Sequence, residues 1–328
     1  MSFSRSKRDQ ASALTGGGPP SFQRIGRAGA AAVLALAFVP ATGHACACGC
    51  GVFDIGTASM FPTHSGGMAF IEYDFMDQNK NWSGRSSASA DDNADKRIRT
   101  NFFNAGLQYQ FNRSWGVSVE VPYWHRYFQT QVDSGAIADF THGALGDIRI
   151  KGVYTGLSSD MSTGITFGLK LPTGDSSYAN FDPDTEIGTG STDTLLGAYH
   201  LGNLTDDGQW RYFTQAQWDQ PVKHKDNYRP GNEVVAAAGA YYEGWNVSTA
   251  VKVAPVLQVN ATYRGHDGGP DGHPGDSGYT RVLLTPGVEV NVDKVAVYFD
   301  VGLPVYRNSS GNQLVSSEFW RVNLSYRF

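Results

Sequence analysis

Glu318-Phe319-Trp320-Arg321-Val322-Asn323-Leu324-Ser325-Tyr326-Arg327-Phe328 closes the chain, and its reading decides the fold. Trp320, Val322, Leu324, Tyr326 and Phe328 fall on one side at period two, while Arg321, Asn323, Ser325 and Arg327 fall on the other. Successive side chains of a strand point to opposite faces, so this is a strand with one oily side and one wet side. If the oily side meets lipid, no backbone group can be left unpaired there. The strand must then join the first one and close a barrel, which has no open edges.

Composition agrees with that demand. The chain has 328 residues, 39 of them glycine, with 12% aromatic and 17% charged residues. Its mean hydropathy of -0.33 does not argue against a membrane, because a barrel exposes only alternate residues to lipid while lumen and loops dilute the average. A net charge of -5 carries no nucleic-acid footprint. Past the N-terminal region no apolar run is long enough for a spanning helix.

The N-terminus reads as an export signal. Arg24 and Arg27 precede the apolar run from Ala28 to Val39, and Gly43 and Ala45 supply small residues before a cleavage point, so residues 1–45 are expected to be a signal peptide. Residues 46–66 then form a cysteine-containing periplasmic segment, and 67–328 the barrel. All three cysteines, Cys46, Cys48 and Cys50, lie in that segment. Thiolates at this spacing suit a soft ion such as Cu(I) or Zn(II). A structural or intermolecular disulfide, or lipidation of Cys46, are the competing readings.

From Gly67 onward the chain alternates. Outward sets are Ala69, Ile71, Tyr73 and Phe75; then Phe103, Ala105, Leu107, Tyr109 and Phe111; then Trp115, Val117, Val119, Val121 and Tyr123. The pattern continues through Ile148, Ile150 and Tyr154; Leu195, Gly197, Tyr199 and Leu201; Val247, Thr249, Val251 and Val253; and every second residue from Met161 to Leu171, Trp210 to Trp218, Val234 to Tyr242, Val282 to Val290 and Val295 to Leu303. Short turns, such as those at 112–114 and 292–294, alternate with long polar connections expected at 77–96, 129–143, 172–190, 222–232, 265–278 and 308–317. The expected fold is all-β, a transmembrane antiparallel up-and-down barrel of about twelve strands with short periplasmic turns and long extracellular loops. An even strand number places both ends on the periplasmic side of a Gram-negative outer membrane.

Charge sorts with parity. The outward sets contain no Asp, Glu, Lys or Arg, whereas the inward positions hold the candidate lumen-lining residues Glu72, Asp74, Glu120, Asp147, Arg149, Lys151, Lys170, Arg211, Asp219, Glu233, Lys252, Arg281, Glu289, Asp300 and Arg321. A soluble sandwich alternates too, but turns its polar face outward. These residues can form a charge ladder around a pore or a paired network that plugs it. Aromatic residues near the turns (Trp115, Tyr154, Trp210, Tyr242) and near the loops (Tyr123, Trp218) match two interfacial belts. Pro122, Pro172, Pro221, Pro255 and Pro304 are expected near loop ends, where a lost ladder bond is tolerated.

Four segments carry a resemblance. Gly168-Leu-Lys-Leu-Pro-Thr-Gly-Asp175, with Ala144-Leu-Gly-Asp-Ile-Arg-Ile-Lys151 and Val119-Glu-Val-Pro-Tyr123 before it and Gly188-Thr-Gly190 after it, resembles the outer-membrane barrel family labelled for the meta-pathway of phenol degradation. The resemblance runs from about Leu107 to the C-terminus and implies a channel or transporter for a small solute, aromatic or hydrophobic in some members. The cysteine segment is not part of that family's pattern. Read physically, Pro172 ends the ladder, Thr173 and Asp175 bond their own backbone and Gly174 permits a sharp turn. The terminal Phe328 likewise resembles the signal read by the barrel assembly machinery.

Expected partners are outer-membrane lipid, that machinery, a small-molecule solute and a periplasmic partner at the cysteines. Two other functions compete. One is a metal-handling or docking barrel without an open pore. The other is a hydrolase using His125, His142 or His200 as base, with His200 expected to face inward; none of the three sits in a motif with a serine, so no enzyme is expected. His266, Asp267, Asp271, His273 and Asp276 on loop 265–278 lack calcium-loop spacing and read as a flexible solvated loop.

Overall fold

The period-two pattern forms strands because β-branched and aromatic residues suit a pleated surface that is apolar on one face. The computed structural model describes residues 61–328, and the expected leader and Cys46, Cys48 and Cys50 lie outside the described residues. Fourteen strands form one sheet: β1 (Gly66–Gly84), β2 (Ser86–Ser87), β3 (Asp95–Gln110), β4 (Trp115–Gln131), β5 (Ile137–Leu145), β6 (Arg149–Tyr154), β7 (Thr163–Lys170), β8 (Thr192–Asn203), β9 (Trp210–Lys223), β10 (Glu233–Tyr242), β11 (Trp245–Asn246), β12 (Val251–Arg264), β13 (Tyr279–Val292) and β14 (Val295–Arg327).

Antiparallel pairing runs in chain order and closes through β14 on β1 and β10 on β12. β14 is a folded-back pair of arms. Residues 295–309 pair with β13 and 309–327 with β1, while Arg327 N donates to Lys294 O at 2.9 Å and the Phe299 and Trp320 rings lie 5.7 Å apart. β5 continues the β6 stave above a break at 146–148, both of them pairing with β4. The wall therefore has twelve staves, as the alternation predicts.

The last strand closes the ring in register: Ala69 stands opposite Tyr326, Ile71 opposite Leu324 and Asp74 opposite Arg321. Gly67 and Phe328 exchange both backbone bonds at 2.9 Å. A Cβ at Gly67 would lie 2.2 Å from the Phe328 ring, so only glycine leaves room for the terminal aromatic group. The outer face is apolar, with Ile71 58% and Leu324 48% exposed and Phe103, Leu107, Phe167, Leu169, Trp218, Val297 and Val322 in the same band. Such a surface is stable against lipid and not against water.

The strands depart from expectation at both ends. The polar connections expected at 77–96, 129–143 and 308–317 are largely strand, since β1 and β3 run on to Gly84 and back from Asp95, β4 and β5 leave only 132–136 between them, and β14 passes through its tip as strand. Polar strands can project beyond the bilayer because water or neighbours satisfy their faces. Conversely, the turn expected at 243–244 widens into a connection over 243–250 that includes the two-residue β11, so Val247 and Thr249 belong to it and not to β12. Pro255 sits inside β12 opposite Val288, toward the periplasmic end.

One face is inverted. Leu195, Tyr199 and Leu201 of β8 point inward and are buried, while Leu196 lies outside at 51% exposure. Both faces of that segment are apolar, so parity alone could not say which met lipid. His200 consequently lies on the outer parity, its Nδ1 2.8 Å from Thr163 Oγ1 and its Nε2 3.2 Å from Tyr212 Oη.

Candidate functional site: the barrel interior

The interior is layered. Toward the periplasm an apolar cluster joins Val153, Tyr199, Leu201, Phe213, Val235, Tyr241, Val256 and Tyr298 around Phe61, which precedes β1. The Phe61 ring lies 4.8 Å from that of Tyr199 and 5.8 Å from that of Phe213. Toward the outside, two smaller clusters form around Met76, Phe102, Leu283 and Phe319, and around Ile98, Phe128 and Leu314. Sequence reading missed these inner apolar layers because it assigned apolar residues to lipid by default.

Between the layers runs a belt of buried charge. Arg321 Nε stands 3.2 Å from Asp74 Oδ1 and 3.9 Å from Glu72 Oε2, and Asn323 donates to Glu72 at 3.1 Å. Asp300 accepts from Gln258 at 3.2 Å. Lys151 meets Glu120 at 2.6 Å, and Lys170 pairs with Asp193, a residue absent from the expected set because it shares the parity of Leu195, which was expected to face lipid. Asp219 and Glu233 are register partners, both buried. Burying a charge is costly unless a partner is supplied, and the lumen supplies partners across the closing seam for Asp74 and Arg321 and across neighbouring staves for Lys151 and Lys170.

The remaining expected residues are spread out. Arg211, Lys252 and Glu289 line a cavity of about 660 Å³ at the periplasmic mouth with Glu243 and Arg327. Arg149 stands opposite Glu120 and Lys170, and Arg281 is buried on β13. Asp147 is not on a strand: it occupies the break between β5 and β6, where Oδ1 accepts from Gly174 N at 3.0 Å and Oδ2 from Thr189 N at 2.9 Å.

This gives the family-like segments a different role from the local one expected. Thr173 Oγ1 accepts from Ile148 N at 2.9 Å and donates to Gly146 O at 3.2 Å. A Cβ on Gly174 would lie 2.7 Å from Gly188 Cα, and one on Gly188 2.4 Å from Gly174 C. The Ala144-to-Lys151, Leu-Pro-Thr-Gly-Asp and Gly-Thr-Gly segments thus clasp one another. They pin loop 171–191 to the interrupted stave.

That loop folds against buried Arg126, which is 0% exposed and donates to the carbonyls of Thr185 and Glu186 and, through Nε, to Thr100 Oγ1 at 3.0 Å. Glu186 is buried beside Lys225, 3.2 Å away. Burial raises the Glu186 pKa and Lys225 partly opposes the rise. A carboxyl with a raised folded pKa holds its proton more tightly when the loop is packed, so packing is strongest at and below the ordinary glutamate range and weakens as pH climbs through the folded value. In Lys225→Met, chymotryptic cleavage at Tyr178 and Phe181 is expected to quicken several-fold at pH 7 and by much less at pH 5. Equal quickening at both values would show that Glu186 does not govern the loop.

One further expectation is corrected. Loop 265–278 is packed: Asp267 is buried, accepting from Gly231 N at 2.7 Å and from Arg264 at 2.8 Å. Among the described residues no cluster of three metal-ligating side chains exists. His142 on β5 is half-buried, its Nε2 2.9 Å from Asp175 Oδ2 and its ring stacked 3.8 Å from that of Tyr178. His125 is exposed on the outer wall.

No family model and no curated protein matches the sequence. An outer membrane channel from Pseudomonas putida F1 superposes with a TM-score of 0.63 at 14% identity, over 84% of this chain and 100% of that one. The two chains share a fold, a closed antiparallel membrane barrel. Looser likenesses are the β domain of the Bordetella autotransporter BrkA (TM-score 0.47, 11% identity, 80% of this chain and 100% of that one) and the transport unit of the Escherichia coli autotransporter AIDA-I (0.46, 13%, 84% and 94%). The closed wall and apolar outer band are those of a barrel set in the outer membrane.

Proposed function

We propose that the barrel is a narrow channel for a small solute with an apolar or aromatic body and a polar group, and not an enzyme. One observation carries the reading. An interior cavity of about 120 Å³ is lined both by apolar side chains, among them Phe61, Phe70, Tyr199 and Val235, and by the charged Glu72, Glu120 and Lys151. Apolar cavities of roughly 150 Å³ hold benzene, so the space is on the scale of a single ring, and its polar wall matches a substituent. The charged belt described above would line the path, and the periplasmic vestibule lies beyond Phe61.

Phe61 is the stopper in this reading. Its ring enters the lumen from the segment that follows Cys46, Cys48 and Cys50, which supports a role for those thiols as a docking tag or a Cu(I) or Zn site that moves the segment. Single-channel conductance tests it. The wild-type barrel is expected to conduct weakly and Phe61→Ala several-fold better. If neither conducts while both retain heat-modifiable migration, the channel reading fails and a docking barrel replaces it.

A further inference from the structure

Two arginines face each other on the inner wall beside the closing seam. Arg281 of β13 and Arg307 of β14 are register partners, and like charges directly opposite repel. Arg281 is 8% exposed, and its Nε and Nη2 make no hydrogen bond among the described residues. Lys151, Lys170, Arg264 and Arg321 each meet a carboxylate; Arg281 meets two rings, its guanidinium carbon 5.0 Å from the Tyr279 centroid and 4.9 Å from that of Phe319. Arg307 lies 5.1 Å over Trp82 and donates to Ser316 O at 2.6 Å.

Ring faces attract a cation but accept few of its N–H bonds, so the donor fork of Arg281 remains open. Both arginines line a cavity of about 20 Å³. That exceeds what one water needs and is too small for a ring. A guanidinium fork matches a carboxylate with two parallel bonds.

We propose that Arg281 and Arg307 form a binding site for the carboxylate head group of a small organic anion, the head group alone occupying the cavity. The site deepens the channel reading by giving its solute a charge, and rests on that reading for its purpose. Its test does not depend on conduction: a barrel that binds the anion yet fails to conduct would sink the channel and leave the site standing.

The experiment is calorimetric titration of the detergent-purified protein with benzoate, with benzyl alcohol as the neutral comparison and chloride as competitor. Benzoate is expected to bind saturably, at least tenfold more tightly than benzyl alcohol. Arg281→Gln should weaken it at least tenfold, and Arg281→Lys, which keeps the charge without the fork, by less. Should Arg281→Gln fail to fold, Arg307→Gln is read in the same way. Benzoate affinity unchanged in a folded variant overturns the proposal, as does displacement of benzoate by an equal concentration of chloride, which would mark a halide site.

Discussion

Arg321→Met is expected to destabilise the barrel by about 3–5 kcal/mol, the cost of leaving buried charge uncompensated. Glu72 and Asp74 lose the cation that stands 3.9 and 3.2 Å from them, and Asp300 lies buried in the same belt. The damage falls on the seam, because Asp74 and Arg321 are register partners of the first and last strands. The readout is the urea midpoint of heat-modifiable migration in lipid. The triple variant Glu72→Gln, Asp74→Asn, Arg321→Met should recover most of the loss, since removing both sides of a buried pair is nearly neutral where removing one is not. If the single variant unfolds at the wild-type midpoint, the belt is hydrated well enough to need no pairing.

Ile71→Arg should cost about 2–4 kcal/mol, the range for a cation placed on the lipid face near mid-bilayer. Ile71 stands opposite Leu324 at the closing seam, and both are about half exposed on the outer wall. Ile137→Arg provides the contrast. Ile137 is just as exposed, at 55%, but begins β5 on the part of the wall that projects past the bilayer, and its substitution should stay within about 0.5 kcal/mol. Equal costs at the two sites would mean that exposure alone, and not contact with lipid, sets the penalty. The apolar band would then need another explanation.

Much of the candidate site was visible as composition on the inward parity: Glu72, Asp74, Glu120, Lys151, Lys170 and Arg321 are buried inside the wall, whereas Asp193 was missed because it shares the parity of Leu195, and its charge was the one sign that this face of β8 turns inward. Their partners were not visible, since Asp74 finds Arg321 across almost the whole chain. Arg126 carried no signal beyond being a charge near a strand end, yet it anchors loop 171–191. The Leu-Pro-Thr-Gly-Asp segment looked self-contained because its residues favour local turns, whereas its hydrogen bonds go to residues some 27 positions away.

By itself the sequence determined an alternating all-β chain, its approximate strand number, the closure of its last strand on its first and a charge-free outer band. These follow from side-chain direction, which reverses at every residue whatever the partner. The tertiary structure decided where apolar residues meet one another instead of lipid. Leu195, Tyr199 and Leu201 turn inward to pack with Phe61 and Phe213, and a local pattern cannot separate the two environments, because an apolar lumen and a bilayer exclude polar groups alike.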